Sequence, residues 1–316
     1  MANAAKLAKR TPVRCMLVGY PGAGKTGALA SLANLGYKIR FLDFDGNTEP
    51  LVKFTKPEFL QNIDIMYFED KMRLGPNGLE PAGKPEAFIN ALKAMDRWTY
   101  TEDDGAIVDL GASKDWGSDT IVVLDSLTSM GNAAMNRVRN MLNKTKLNTT
   151  QQVWGVAQGE QKLFIEKLTS PNNKFHVIVL AHLKMISPKD IQKDDSDLTK
   201  ELKQRAAEMV PTRLFPSALG QALPPEIGGE FPTLLLVEPE YKMGGKVTRM
   251  IKSVPRPDLD LKVPILDLPP SLDIATGMAH IFGILAPPLV AGVDTPGNIS
   301  SGVSSTANVV NKEEKQ

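Results

Sequence analysis

The clearest chemical pattern in the chain lies in residues 19–26, which read GYPGAGKT and match GxxxxGK[ST]. Glycines at these spacings let a backbone wrap around phosphate groups with its N–H groups pointing inward, and a following helix adds partial positive charge. The lysine reaches the β and γ phosphates, and the hydroxyl binds Mg²⁺. The pattern predicts a P-loop for ATP and Mg²⁺. Its residues are Gly19, Tyr20, Pro21, Gly22, Ala23, Gly24, Lys25 and Thr26.

An acidic residue about 100 positions further along the chain fits the same chemistry. Residues 121–125 read IVVLD, an apolar run that ends in Asp125. Buried strands that end in aspartate hold the Mg²⁺ shell in P-loop proteins, so Asp125 is the predicted Walker B carboxylate. Ser126 follows it, where AAA+ proteins and helicases usually carry a glutamate that polarises the attacking water. The catalytic base must therefore come from elsewhere in the chain.

The elements that position these residues alternate between strands and helices. Several predicted strands are nearly continuous apolar runs, which suit parallel strands covered on both faces. The pattern predicts a three-layer α/β domain with a mostly parallel sheet and a C-terminal hairpin. Predicted strands are residues 13–18, 38–44, 120–124 and 176–183, with helices at 26–35, 84–99, 127–141 and 151–168, and a hairpin from 233–237 and 246–253.

The chain of 316 residues is predicted to fold mainly as one domain, because 42% apolar side chains suffice for one large core. We place this domain at residues 12–285, after a flexible N-terminus at 1–11. A charged and then Pro/Gly-rich segment at 187–232 is predicted to be a long mobile excursion. Residues 286–316 lack periodicity and are predicted to be disordered.

Charge and cysteine content exclude some function classes. Lys and Arg number 37 against 36 Asp and Glu, so the net charge of +1 gives no overall attraction to nucleic acid or to an anionic membrane. The single cysteine, Cys15, lies in an apolar run and is predicted to be a buried thiol. No stretch approaches the roughly 18 apolar residues of a membrane helix. We therefore expect a cytoplasmic protein without a membrane partner.

Two further stretches resemble RecA-like ATPases. RFLDFDGN, at residues 40–47, is similar to the place where those enzymes carry their catalytic acid, and Asp45 takes that position, although glutamate is usual there. HVIVLAHLK, at 176–184, is similar to the strand whose final polar residue senses the γ phosphate, which implies that role for His182. The alternatives stay open: Asp45 could merely start a turn, and His182 could be held by backbone groups.

The chain as a whole resembles RecA-like P-loop ATPases encoded by bacteriophages, which are related to phage ATP-dependent single-strand annealing recombinases. This resemblance implies a RecA-type core, use of ATP and Mg²⁺, homo-oligomers, and action on single-stranded DNA beside single-strand-binding protein in the host bacterial cytoplasm. It covers about residues 13–255. Its stretches are GYPGAGKTGAL, RFLDFDGN, WGSDTIVVLDSLTSM, VWGVAQGEQKLFIEKL, HVIVLAHLK and FPSALGQALPPEIGGEFPTLLLV.

The same resemblance implies two sets of cations with roles beyond the P-loop. RecA-like proteins hold DNA on a loop after the Walker B helix, and the DNA candidates there are Arg137, Arg139, Lys144 and Lys146. They also place a cation from a neighbouring subunit on the developing phosphate charge, and the candidates for this trans finger are Arg249 and Lys252. In both cases the alternative is an ordinary solvated surface.

Two other functions remain open at this point. A P-loop kinase would pass the γ phosphate to a small metabolite or nucleotide, and residues 187–213 are long enough for its lid but carry many acids. A nucleotide-dependent assembly protein with little turnover is favoured by aspartate instead of glutamate at position 45. A DNA-recombination ATPase is the leading hypothesis.

Overall fold

The computed structural model describes residues 12–75, 78–102, 104–144, 148–186, 212–265 and 267–286. Its centre is an eight-stranded sheet with the order β14-β13-β12-β1-β9-β8-β2-β3. The six strands from β12 to β3 in this order run parallel to one another, β13 is antiparallel to β12, and β14 is antiparallel to β13. The strands are β1 Arg14–Val18, β2 Lys38–Asp43, β3 Ile63–Tyr67, β4 Met72–Gly75, β5 Gly78–Pro81, β6 Arg97–Thr101, β7 Ile107–Ala112, β8 Thr120–Asp125, β9 His176–Ala181, β10 Leu183–Ile186, β11 Arg213–Pro216, β12 Thr233–Tyr241, β13 Val247–Lys252 and β14 Ser271–Asp273.

Helices cover both faces of this sheet. Every residue of β8 and β9 is buried, as expected for strands with apolar side chains on both faces. The side chains form one apolar cluster on each face, and the three-layer α/β prediction is therefore confirmed. The helices are α1 Lys25–Ala28, α2 Ala30–Ala33, α3 Glu49–Phe54, α4 Ala87–Asp96, α5 Leu127–Met141, α6 Gln151–Leu168, α7 Leu223–Ile227 and α8 Gly277–Leu285.

Several predicted elements differ from those observed. The predicted helix at 84–99 is shorter, because α4 ends at Asp96 and the chain continues as β6, which pairs with β7. Trp98, Thr99 and Tyr100 belong to residue types that favour strands, and this preference prevails there. The predicted strand at 176–183 ends at Ala181, and β10 leaves the main sheet to pair antiparallel with β11. The helix predicted at 26–35 is split into α1 and α2.

The C-terminal hairpin extends the sheet on the side of the P-loop. β13 pairs antiparallel with β12, as the predicted hairpin requires, and β12 pairs in parallel with β1. β12 is longer than predicted and reaches Tyr241. This arrangement places β13 two strands away from the strand that leads into the P-loop.

Several predictions from sequence concern residues that are not described. The N-terminal segment 1–11, the tail from 287 and residues 187–211 lie outside the described residues, so the domain limits stay predictions. Residues 212–232 include β11 and α7, with Leu214 and Phe231 buried in the core. Cys15 is fully buried, and burial raises the pKa of its thiol. In the described parts of the chain, no helix has the length and hydrophobicity to cross a membrane.

Candidate functional site

The P-loop connects the end of β1 to the start of α1. Gly22 and Gly24 have φ angles of 75° and 103°, which lie in the left-handed region that favours glycine. A Cβ atom on Gly24 would lie 2.6 Å from Ile274 Cδ1 and 2.8 Å from Arg249 Cδ. The backbone conformation therefore favours glycine at this position, and an added Cβ would also force the Ile274 and Arg249 side chains to shift.

Lys25 is buried in this loop and turned toward its backbone. Its Nζ donates hydrogen bonds to the carbonyl oxygens of Gly19 at 2.9 Å and Tyr20 at 3.2 Å, and it lies 3.3 Å from His182 Nδ1. Burial lowers the pKa of Lys25, while the nearby carboxylates of Asp125 and Asp45 act in the opposite direction. Its side chain thus points into the space that the loop encloses.

Thr26 and Asp125 are brought together although 99 positions separate them. The Thr26 hydroxyl donates to Asp125 Oδ2 at 2.8 Å. Burial raises the pKa of Asp125 to about 7, the negative charges of Asp45 and Asp43 add to this rise, and the Thr26 hydrogen bond opposes it. A hydroxyl and a carboxylate at this distance are oxygen ligands of the type that Mg²⁺ prefers.

The two aspartates after β2 have different surroundings. Asp43 Oδ1 accepts the backbone N–H groups of Asp45 at 2.9 Å and Gly46 at 2.8 Å, so this carboxylate closes the turn. Asp45 instead faces the pocket, where Oδ1 accepts the Ser126 hydroxyl at 3.0 Å. Burial acts to raise the pKa of Asp45, but the nearby His182 ring and the hydroxyl groups of Ser129 and Ser126 outweigh it and leave the pKa lowered.

His182 lies between the lysine and this carboxylate. Its Nδ1 is 3.3 Å from Lys25 Nζ, and its Nε2 is 3.7 Å from Asp45 Oδ2. Its backbone oxygen accepts the N–H of Ser217 at 2.7 Å, where β11 has just ended. The histidine therefore contacts both Lys25 and the segment that follows β11.

Arg249 and Lys252, the two candidates for the trans finger, have different partners within their own chain. Arg249 contacts the P-loop of its own chain, with Nε donating to Gly22 O at 3.3 Å. Lys252 is engaged by Glu240 and donates to the Ser271 hydroxyl at 3.1 Å. A role of either residue in a neighbouring subunit stays a prediction.

The DNA candidates are not grouped at the pocket. Arg137 pairs with Glu160 at 2.9 Å, and Arg139 Nε donates to the Thr149 hydroxyl at 2.9 Å. Lys144 is exposed just after α5, and Lys146 lies outside the described residues. Their contact with DNA stays a prediction.

One cavity of about 680 Å³ is bordered by the predicted residues Lys25, Thr26, Asp45, Asp125, His182 and Arg249. The sequence did not indicate its apolar end, formed by Pro50, Phe54 and Ile274. Phe54 is 65% exposed and packs beside Gly27, where an added Cβ would lie 3.0 Å from its ring. In the sequence, Phe54 is an aromatic residue at the end of a short segment, and this feature is too common to indicate a place in a nucleotide site.

The residues present fit a nucleoside triphosphate with Mg²⁺. The glycine-lined loop, Lys25 and the start of α1 suit a polyphosphate, and Thr26 with Asp125 suits a hard cation. Among the described residues, no group of three or more His, Cys, Asp or Glu side chains could hold a metal ion by itself. The remaining ligands of a magnesium ion would therefore be phosphate oxygens and water.

This sheet order, with a P-loop after the central strand β1 and an acid at the end of β8, defines a RecA-like P-loop NTPase fold. The family model described as an AAA domain matches residues 11–214. The chain belongs to this family. It is thus a nucleotide-binding protein of the P-loop ATPase class. No curated protein matches the chain significantly.

Solved structures give distant matches. The flagellar accessory protein FlaH from Methanocaldococcus jannaschii is 11% identical, with 77% of this chain and 78% of FlaH covered and a TM-score of 0.33. The RadB recombinase is 15% identical, with 78% and 93% covered and a TM-score of 0.39. An ATPase from the type III secretion system of pathogenic bacteria is 11% identical, with 74% and 55% covered and a TM-score of 0.37.

Proposed function

We propose that the protein binds ATP with Mg²⁺ and hydrolyses it to ADP and phosphate. The observation that carries this proposal is the convergence of Lys25, Thr26, Asp125 and Asp45 on one cavity. Lys25 neutralises the β and γ phosphates, and Thr26 with Asp125 holds the magnesium ion. Mg²⁺, when bound, neutralises phosphate charge and aligns the phosphate oxygens.

Asp45 is the proposed general base. Its lowered pKa keeps it a carboxylate at neutral pH, so it can accept a proton from a water molecule. The water oxygen forms a bond to the γ phosphorus while the bond from that phosphorus to the β–γ bridging oxygen breaks. Ser126 and His182 hold the carboxylate in place through the contacts described above.

Two measurements test this function: the rate of ATP turnover, and the mass of the protein's assemblies without nucleotide, with ATP and with ADP. Release of phosphate that requires Mg²⁺ and is lost in Lys25→Ala supports hydrolysis. Tight ATP binding without phosphate release, together with a mass that depends on nucleotide, would instead identify an assembly protein. Transfer of the γ phosphate to an added nucleotide or metabolite would identify a kinase.

We further propose that this ATPase acts on single-stranded DNA in recombination, annealing or repair. The sequence resemblance to phage annealing recombinases supports this role. The position of His182 supports it too, since this residue contacts Lys25 and continues directly into β10, after which comes the charged segment 187–211. ATP should therefore tighten DNA binding, and DNA must tighten ATP binding by the same factor.

Paired titrations across a salt series test the DNA role. Binding to a single strand should weaken with salt, with a slope of about −0.7 per neutralised phosphate, and Lys144→Glu with Lys146→Glu should flatten that slope. These two lysines are chosen because Arg137 and Arg139 also make contacts within the protein. His182→Ala should remove the coupling between the ligands but preserve each binding reaction. Absence of DNA binding at low salt would contradict the DNA role and leave the ATPase proposal intact.

A further inference from the structure

The side chain of Arg249 enters the nucleotide cavity from β13 of the same chain. It borders this cavity together with Lys25 and Thr26, and its Nε donates to Gly22 O at 3.3 Å. Its Cδ lies 2.8 Å from the position that a Cβ on Gly24 would occupy. The guanidinium group is therefore packed directly against the phosphate-binding loop.

The backbone fixes this placement through the sheet. β12 pairs with β1, β13 pairs with β12, and the N–H of Ile274 donates to Arg249 O at 3.1 Å beside β14. Pairing of Pro239 with Arg249 sets the register of the residue along the hairpin. The position of Arg249 thus follows from strand pairing within one chain and needs no neighbouring subunit.

The guanidinium group keeps most of its hydrogen-bonding capacity. Its hydrogen bond to Gly22 O is its single side-chain contact with a polar group among the described residues, and no carboxylate there pairs with it. The neighbouring cation Lys252 is already engaged by Glu240, and Arg256 by Glu238 and Asp258. An arginine has five N–H donors in a fixed fork, so Arg249 has donors left for an anion.

We propose that Arg249 binds the polyphosphate in the nucleotide site of its own chain, as a cation supplied in cis. This inference rests on the proposed ATP-binding function. The guanidinium group donates to phosphate oxygens from β13, while Lys25 donates from the loop itself. Because it already lies at the loop before any assembly forms, Arg249 contributes to binding of both ATP and ADP.

Equilibrium binding of ATP and ADP to the dilute protein is the first test. Arg249→Ala should weaken both by about 10- to 100-fold, the range for losing a hydrogen bond between charged groups. Arg249→Lys should fall between wild type and Arg249→Ala. Lys242→Ala is the matched control, since Lys242 is an exposed cation of the same hairpin outside the cavity, and it should bind as wild type. Unchanged affinity in Arg249→Ala, with a folded protein by thermal melting, would overturn the proposal.

Mixed assemblies separate a cis from a trans contribution. If Arg249 acts in cis, a mixture of Lys25→Ala and Arg249→Ala subunits contains no complete site, and its tight ATP binding should match the sum of the separate variants. If it acts in trans, Arg249→Ala subunits beside Lys25→Ala neighbours regain complete sites, and added tight binding in the mixture would overturn the cis assignment. Failure of the wild-type protein to bind ATP would instead contradict the proposed function itself.

Discussion

At the scale of single residues, the proposed phosphate site contains a lysine, Lys25, that is buried in the loop. Lys25 is held by two loop carbonyl oxygens and lies between acidic groups. An ammonium group has three N–H donors, and two of them already donate to the loop, so one is left for a phosphate or for His182 Nδ1.

Lys25→Ala should abolish measurable ATP binding, since the β and γ phosphates lose the main charge that neutralises them. Binding of a fluorescent ATP analogue measures this effect. Lys38→Ala serves as the control, because Lys38 forms an exposed ion pair with Asp119 away from the cavity. Retained ATP hydrolysis in Lys25→Ala would contradict the central assignment.

Asp45→Asn should keep ATP affinity near wild type and reduce turnover by roughly 10²-fold or more, the typical effect of losing a positioned base. Asp43→Asn is the natural comparison. An asparagine at position 43 keeps a side-chain oxygen for the N–H groups of Asp45 and Gly46, so turnover should persist. Single-turnover phosphate release distinguishes the two. The opposite result would show that Asp43 is the base.

At the scale of elements, α3 and the residue that follows β14, Ile274, contribute the apolar end of the cavity. Phe54 ends α3, and its carbonyl oxygen accepts the Asn34 side chain at 3.4 Å. The N–H of Lys56 donates to the same asparagine at 2.8 Å, which fixes the end of this short helix beside α2. An aromatic face next to a phosphate loop suits the base of a nucleotide.

Phe54→Ala should therefore weaken ATP binding by about 5- to 100-fold, the range for losing the stacking of one base, with inorganic tripolyphosphate affected less than twofold. Competition titrations with both ligands measure this difference. Val52→Ala, an exposed residue of the same helix outside the cavity, is the matched control. An equal loss for tripolyphosphate would mean that Phe54 supports the loop instead of contacting the base.

At the scale of the whole molecule, the buried His176 at the start of β9 connects two segments that lie outside this strand, the residue before β1 and the loop before β8. His176 Nδ1 accepts the N–H of Val13 at 2.9 Å, and Nε2 lies 2.9 Å from Ser118 O, a pairing that suits the neutral ring. The ring also packs against Tyr37 and Phe282. Burial lowers the pKa of His176 to about 4.

This lowered pKa predicts a pH dependence of stability. Between about pH 6.5 and 4, the unfolded chain binds a proton at His176 that the folded chain does not. The contribution to stability is therefore present above pH 6.5 and is lost as the pH falls to 4, by about 3 kcal/mol in total. Denaturant unfolding at several pH values measures the free energy of unfolding. Its decrease between about pH 6.5 and 4 should be smaller in His176→Gln than in wild type or in the control His280→Gln. An unchanged decrease in His176→Gln would contradict the assignment.

Much of the phosphate site is a local property of the sequence. The loop residues 19–26 are contiguous, and their glycines, lysine and threonine serve phosphate chemistry at fixed spacing. Continuous apolar runs at β8 and β9 indicated a buried parallel sheet because parallel strands are covered on both faces. These features need only local geometry and burial, so the fold class could be predicted from the sequence.

The tertiary structure decided what depends on strand order and register. The sequence indicated Asp45 as the candidate acid, but the contacts of the turn are visible only in the structure, where Asp43 accepts backbone N–H groups and Asp45 faces the cavity. The position of Arg249 likewise depends on pairing of β13 through β12 to β1, and that of Phe54 on α3 packing beside Gly27. Contacts between residues far apart in the chain arise from global packing, which local spacing does not encode.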